Sequence, residues 1–187
     1  SNRYIIEPQF DYVKHFNDGV LTALLGGTYQ HIITQGNYIE GDGVSNPDLL
    51  GNIGAASILT GNSDSYSEYK YESVFGRINY NWRQKYLINV NLRRDGSSRF
   101  GPGRQFGNFY AVGGGWIFSE EKFIKDNLGL LSYGKIRSSY GLTGNDQISD
   151  YQYLSFYRSG SSYCASSTLP PSRVTNPDYS WESTKKV

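Results

Sequence analysis

The stretch that most clearly decides the fold is residues 86–93, which read YLINVNLR. Its even positions carry large apolar or aromatic side chains: Tyr86, Ile88, Val90 and Leu92. Its odd positions from 89 onward are polar: Asn89, Asn91 and Arg93. Successive side chains of a strand point to opposite faces of a sheet, so this alternation predicts a β-strand with one apolar and one polar face.

The same period of two recurs along the chain and predicts an all-β fold, an antiparallel meander of about six to eight strands. Strands are expected at about 4–12, 20–35, 66–82, 85–95, 107–118 and 133–142, with Trp181 beginning another. Tight turns are expected at 17–19, where Asn-Asp-Gly separates two alternating runs, and at 83–84. A short helical turn is expected near 119–126, because Ser119 and the acids after it suit a helix N-terminus.

The predicted short connections lie at one end of the sheet, and the predicted long connections lie at the other. The tight turns and the connection 119–132 fall at one end, and long loops fall at the other: 36–65, 96–106 and 143–180. Short turns opposite long loops are typical of transmembrane β-barrels, whose apolar strand faces contact lipid and whose polar faces line a wet lumen. A soluble β-sandwich buries the same apolar face in a core, so the pattern alone leaves both architectures open.

Composition narrows the class of protein. Aromatic residues make up 16% of the 187 residues and charged residues 19%, which is too aromatic and too weakly charged for a disordered chain. A net charge of +1 gives no indication of a nucleic-acid partner. The single cysteine, Cys164, excludes an internal disulfide. We expect one segment over 1–187, with neither a plug domain nor a signal peptide.

We predict no catalytic, cofactor-binding or metal-binding residue, no cofactor and no enzymatic activity. His15 and His31 lie on different predicted strands, with no ligand at metal-binding spacing. Cys164 lies in a serine-rich stretch without a sequence sign of an activating partner. An oxygen-rich group in the first long loop departs from the calcium-loop spacing and is interpreted as turn chemistry: Asp42, Asn46 and Asp48.

Two other features have a functional and a structural interpretation. Tyrosines that flank the loop end could stack on sugar rings, although an aromatic girdle at the membrane interface is favoured: Tyr66, Tyr69, Tyr71, Tyr151, Tyr153 and Tyr157. Asp95 lies among the arginines 93, 94 and 99. It could belong to a charged network that shapes a pore mouth, and the favoured interpretation is that it pairs with an arginine to hold the loop.

Five segments together resemble one family. They read FGRINY at 75–80 with KYL at 85–87, LRRDGSSRFG at 92–101, WIFSEE at 116–121, KIRSSYGLTGN at 135–145 and NPDYSWEST at 176–184. In motif, order and spacing they are similar to the SusC/RagA family of TonB-dependent outer-membrane transporters. The resemblance spans about 70–185, and residues 1–69 fit the upstream hairpin loosely.

The resemblance implies that the chain is part of a large transmembrane β-barrel of about 22 strands. It implies import of large nutrients, oligosaccharides or peptides, into the periplasm across the outer membrane of a Gram-negative cell. The implied partners are a SusD-like surface lipoprotein, the TonB complex acting through a plug domain, the oligosaccharide or peptide substrate and membrane lipid, with no nucleic acid. The alternative is a soluble β-sandwich carbohydrate-binding module.

Overall fold

The computed structural model describes residues 1–127, 131–158, 160 and 168–187. These residues form one eight-stranded antiparallel sheet, a separate two-stranded hairpin and one short helix. The strands are β1 (Asn2–Ile6), β2 (Gln9–Phe16), β3 (Gly19–Asp42), β4 (Ile58–Trp82), β5 (Tyr86–Ser97), β6 (Phe106–Trp116), β7 (Ile136–Asn145), β8 (Phe156–Tyr157), β9 (Pro171–Arg173) and β10 (Glu182–Lys186). The helix is α1 (Lys122–Asn127), and 3-10 turns occur at Pro47–Leu49, Ile53–Ala55 and Phe118–Glu120. None of the helical segments in these described ranges has the length and apolar character needed to cross a membrane.

The strands of the large sheet follow one another in chain order, which confirms the predicted meander. The order is β1-β3-β4-β5-β6-β7-β10, and β2 pairs with β3 beside β1. The predicted single strand over 4–12 is therefore two strands that share one edge of β3. The break falls at Glu7 and Pro8, because proline has no N–H to donate to the ladder. The Pro8 carbonyl still accepts a 3.0 Å hydrogen bond from the Gly27 N–H.

The prediction that 36–65 is a loop is wrong. β3 and β4 are 24 and 25 residues long, and they remain paired from Gly19↔Trp82 to Asp42↔Ile58 with one irregularity at Glu40/Gly41. Only 43–57 connects them. The outer halves of both strands mix glycines and polar residues with adjacent apolar pairs such as Ile32–Ile33 and Ile58–Leu59, so they carry no regular alternation that the sequence could reveal.

The remaining boundaries shift by a few residues. The predicted helical turn near 119–126 is present as a 3-10 turn followed by α1. The expected strand at Trp181 begins one residue later as β10, which pairs with β7. The tight turn at 83–84 is confirmed: Arg83 and Gln84 have φ of 52° and 56°, the left-handed pair at the centre of a turn that the Lys85 N–H closes by donating to the Trp82 carbonyl at 3.0 Å.

Cross-strand register divides the sheet into two chemically different faces. One level of the first face consists of Ala23, Ile78, Val90, Val112 and Tyr140. The neighbouring level of the second face consists of Thr22, Asn79, Asn89, Gly113 and Ser139. We call these the apolar face and the polar face. On the apolar face, Val74, Ile78 and Leu92 are 62%, 52% and 60% exposed. Among the described residues no second sheet covers this face, as a β-sandwich would require.

Candidate functional site

The apolar face has the height of a membrane. Four neighbouring strands each place nine residues in the same band: 19–27, 74–82, 86–94 and 108–116. Nine residues at about 3.3 Å each extend roughly 30 Å along a strand, and a tilted strand needs about 9–11 residues to cross the hydrocarbon core. We treat these four ranges as the membrane-spanning segments, with β3 and β4 continuing beyond them at the loop end.

Aromatic side chains lie at the tight-turn end of the membrane-spanning segments. The Trp82 and Tyr86 ring centroids are 5.3 Å apart. Glu121, in the connection after β6, accepts hydrogen bonds from the Tyr86 hydroxyl at 2.7 Å and from the Trp116 indole N–H and the Lys85 ammonium at 3.2 Å each. These donors hold the pKa of Glu121 below its usual value, with Tyr86 contributing most. Amphipathic rings tied to a carboxylate in this way are typical of a membrane interface.

The polar face carries a row of amides. Asn89 Nδ2 donates to Asn79 Oδ1 at 2.6 Å, and Asn91 Nδ2 donates to Asn89 Oδ1 at 2.9 Å. The side chains of Arg77 and Arg137 are exposed on the same face. Amide and guanidinium groups that face an open space can exchange hydrogen bonds with water and with polar solutes, as the lining of an aqueous lumen does.

At the loop end, residues after β7 fold back over the polar face through a hydrogen-bonded cluster. We call it the loop network: Ser67, Tyr69, Ser97, Arg99, Asp146 and Asp150. Asp146 Oδ2 accepts from the Tyr69 hydroxyl at 2.7 Å and from Ser97 Oγ at 2.9 Å. Arg99 donates from Nε to Asp150 Oδ1 at 2.9 Å, and its guanidinium carbon lies 4.3 Å from the Tyr69 ring centroid. Ser67 Oγ also donates to Asp150. Burial and Asp146 together raise the pKa of Tyr69, so its hydroxyl stays a donor.

Removal of the Asp146 carboxylate should release this loop. Asp146→Ala leaves the Tyr69 and Ser97 hydroxyls without their acceptor, and hydrogen bonds to a charged group are each worth about 1.5–3 kcal/mol. We expect the amides of 146–154 to exchange with deuterium at least about tenfold faster. The matched control is Asp178→Ala, because Asp178 pairs with Arg104 at 3.4 Å in an exposed position and should change little. Equal exchange in the two variants would contradict the role of Asp146.

The predicted pairing of Asp95 with an arginine is confirmed, but the partner is Arg93 in the same strand β5, so the pair does not join the strand to the loop after it. Arg93 Nε donates to Asp95 Oδ1 at 2.5 Å, and Arg93 Nη2 donates to the Tyr71 hydroxyl. Asp95 is only 7% exposed, so the pair is held on the polar face where β5 leaves the sheet. The six tyrosines of the loop end have different environments. Tyr69, Tyr71 and Tyr151 form internal hydrogen bonds, Tyr66 and Tyr157 are more than half exposed, and Tyr153 is half-buried.

The residues considered as metal-binding or nucleophilic candidates either form hydrogen bonds within the protein or lie outside the described residues. His31 Nε2 lies 2.8 Å from Glu68 Oε1, and Lys70 Nζ lies 2.8 Å from the same oxygen. Asn46 Oδ1 accepts from the Asp48 N–H at 3.0 Å and caps a 3-10 turn. Within the described ranges, no three metal-binding side chains form a group. Cys164 lies outside the described residues.

The Glu68 cluster predicts a pH dependence. Hydrogen bonds from Lys70 and then His31 hold the pKa of Glu68 below its ordinary 4.5. This stabilisation is therefore fully present above pH 4.5 and is lost as the pH falls through the lower folded pKa. Unfolding of the wild type and Glu68→Gln should be compared at several pH values between 7 and 3. The stability difference should shrink below pH 4.5, and a difference that is independent of pH would contradict this assignment.

One buried cluster had no counterpart in the sequence prediction. Phe100 is 0% and Phe109 8% exposed, and both rings contact Trp181, with centroids 5.2 and 5.3 Å from the indole. Trp181 Nε1 donates to the Gln105 carbonyl at 2.9 Å. A Cβ on Gly144 would lie 1.9 Å from the Phe109 ring, so only glycine fits there. The cluster joins the loop after β5, β6 and the segment before β10.

Comparison with known proteins gives relatives along almost the whole chain. No family model matches. The chain is 35% identical over 178 residues to TonB-dependent receptor P39 of Formosa agariphila, an alignment that covers 94% of this chain and 17% of that protein. It is 31% identical over 181 residues to TonB-dependent receptor SusC of Bacteroides thetaiotaomicron, covering 92% and 17%. The chain thus spans about a sixth of the length of these curated relatives.

Solved structures give the same result for the fold. The RagAB peptide transporter matches with a TM-score of 0.83 and 27% identity, covering 98% of this chain and 20% of that chain. The open-open state of the RagAB peptide importer matches with a TM-score of 0.77 and 29% identity over the same shares. The sheet, its two faces and the sequence motifs therefore identify this chain as homologous to a segment of the β-barrel of SusC/RagA-type TonB-dependent receptors.

Proposed function

We propose that the chain forms part of the wall of an outer-membrane TonB-dependent transporter that imports oligosaccharides or peptides into the periplasm of a Gram-negative cell. The observation that carries the proposal is the two-faced sheet. Its apolar face is uncovered over the height of a membrane, and its opposite face presents amides and guanidinium groups. This arrangement suits a boundary between lipid and an aqueous passage.

The same family suggests the partners. A SusD-like surface lipoprotein would cover the loop end, where the loop network folds over the polar face. The TonB complex would act through a plug domain. Among the solved relatives, RagAB is described as a peptide importer, which supports testing peptides beside oligosaccharides. We propose no enzymatic activity for this segment.

The experiment uses cells that produce a full-length protein carrying this segment. Fluorescent oligosaccharides and fluorescent peptides of similar size are supplied separately, and periplasmic uptake is measured with and without a functional TonB complex. We expect one cargo class to accumulate only when TonB is functional. Uptake of neither class, or uptake that is independent of TonB, would overturn the proposed function.

A further inference from the structure

A groove opens on the apolar face where the membrane-spanning band meets the loop end. It measures about 450 Å³, and its lining includes Ile6, Pro8, Val74, Arg94, Phe106 and Glu72. Most of this lining is apolar, and β1 forms one wall of the groove while β6 forms the opposite wall. The groove therefore faces the side that we assign to lipid, at the level where lipid headgroups begin.

Arg94 gives this groove a positive charge. The register Val74↔Arg94 places it on the apolar face, and its guanidinium carbon lies 5.0 Å from the Phe106 ring centroid. The arginines on either side of it in sequence, Arg93 and Arg99, are paired with Asp95 and Asp150. None of the ion pairs in the described part of the chain includes Arg94. A guanidinium at the edge of a hydrocarbon layer is costly without an anionic partner, and its planar fork matches a phosphate.

Glu72 indicates from which side the anion arrives. Its register partner is Gly96, one level nearer the loop end than the Val74–Arg94 pair. A free anion from the water must pass this carboxylate, whereas a lipid reaches Arg94 sideways within the membrane. Below Arg94 on the same face lie Leu92 and Leu25, which continue the apolar surface toward the tight-turn end.

We propose that this groove binds a phosphate-bearing lipid of the outer leaflet. Arg94 holds the phosphate, Phe106 keeps the guanidinium in place, and an acyl chain fills the apolar groove beside Val74. The proposal rests on the proposed function in one respect, the membrane position of the apolar face. It adds a specific lipid site to a surface that would otherwise be a uniform contact with bulk lipid.

The test uses a delipidated full-length protein carrying this segment, in detergent, with native mass spectrometry. Three probes are added separately: dipalmitoyl phosphatidic acid, dipalmitoylglycerol and inorganic phosphate. The wild type should retain phosphatidic acid preferentially. Arg94→Gln should weaken that binding by about tenfold, because a charge-assisted hydrogen bond is lost. Val74→Trp, which fills the groove, should weaken it as well, and the control Arg77→Gln, on the polar face, should leave it unchanged.

Three results would overturn the proposal. Equal retention of dipalmitoylglycerol would mean that the phosphate is not recognised, and equal binding of inorganic phosphate would mean that no acyl chain is involved. Unchanged phosphatidic acid binding in Arg94→Gln would mean that Arg94 does not hold the phosphate. If that variant instead loses a co-purified surface lipoprotein, the groove is a contact for a protein. A wild-type protein that imports its cargo but retains no phosphatidic acid overturns this site alone. A protein that binds lipid but imports nothing overturns the proposed function alone.

Discussion

Replacement of Phe100 by alanine is expected to destabilise the loop end by about 3–5 kcal/mol, the usual cost of removing a buried phenylalanine ring. Phe100 is fully buried, and it is one of only two buried apolar side chains in the described ranges. Its ring packs against Trp181, which also contacts Phe109. The cavity left by the substitution would therefore weaken three chain segments that are distant in sequence.

Hydrogen exchange is the appropriate measurement, because the effect is local to the loop end. Amides in 98–105 and 174–181 should exchange at least about a hundredfold faster in Phe100→Ala than in the wild type. The matched control is Phe10→Ala on β2, where the side chain is 66% exposed on the apolar face and its loss should change exchange in these ranges very little. Similar exchange in the two variants would show that the cluster does not hold the loop end together.

A charge placed at the centre of the apolar face should be the second most damaging change. Val90 is the fifth of the nine residues in 86–94, level with Ile78 and Val112. Val90→Arg would put a guanidinium near the middle of the hydrocarbon layer, which costs about 2–4 kcal/mol in a transmembrane barrel. The measurement is denaturant unfolding of a full-length protein carrying this segment, refolded into phospholipid vesicles.

The adjacent residue supplies the control. Asn89→Arg introduces the same side chain one position earlier, on the polar face beside Asn79 and Asn91. There the charge stays in water, and the loss of the amide hydrogen bonds should cost about 1 kcal/mol or less. Equal destabilisation by the two substitutions would mean that the faces are not lipid and lumen, and a larger effect at position 89 would reverse their assignment.

The parts of the fold that the sequence predicted are those where a membrane imposes alternation. In 86–93 every second residue must be apolar, so the strand, its faces and its neighbours could be inferred before the structure. The outer halves of β3 and β4 extend beyond the membrane-spanning segments, where contact with lipid does not require every second residue to be apolar. Polar residues paired across two strands look like a loop in sequence, which is why 36–65 was predicted incorrectly.

The contacts of the candidate site also divide into those that the sequence could predict and those that it could not. The pairing of Asp95 with an arginine was predictable because the two residues lie close together in sequence. The loop network and the cluster of Phe100, Phe109 and Trp181 join residues that are far apart in sequence, for example 49 positions in Ser97–Asp146 and 83 positions in Ser67–Asp150. Single-sequence periodicity carries no information about such contacts. The NPDYSWEST motif at 176–184 marked Trp181 as notable without indicating what it contacts.

The most direct test of the central claim is the accessibility of nitroxide labels at successive positions from 87 to 92. Each position is changed to cysteine in a Cys164→Ser background of a full-length protein carrying this segment, and the protein is reconstituted in lipid. Collisions with oxygen, which concentrates in hydrocarbon, should be frequent at 88, 90 and 92. Collisions with a water-soluble nickel complex should be frequent at 87, 89 and 91. Oxygen accessibility without this alternation, or with its maxima at the odd positions, would contradict the assignment of lipid and lumen to the two faces.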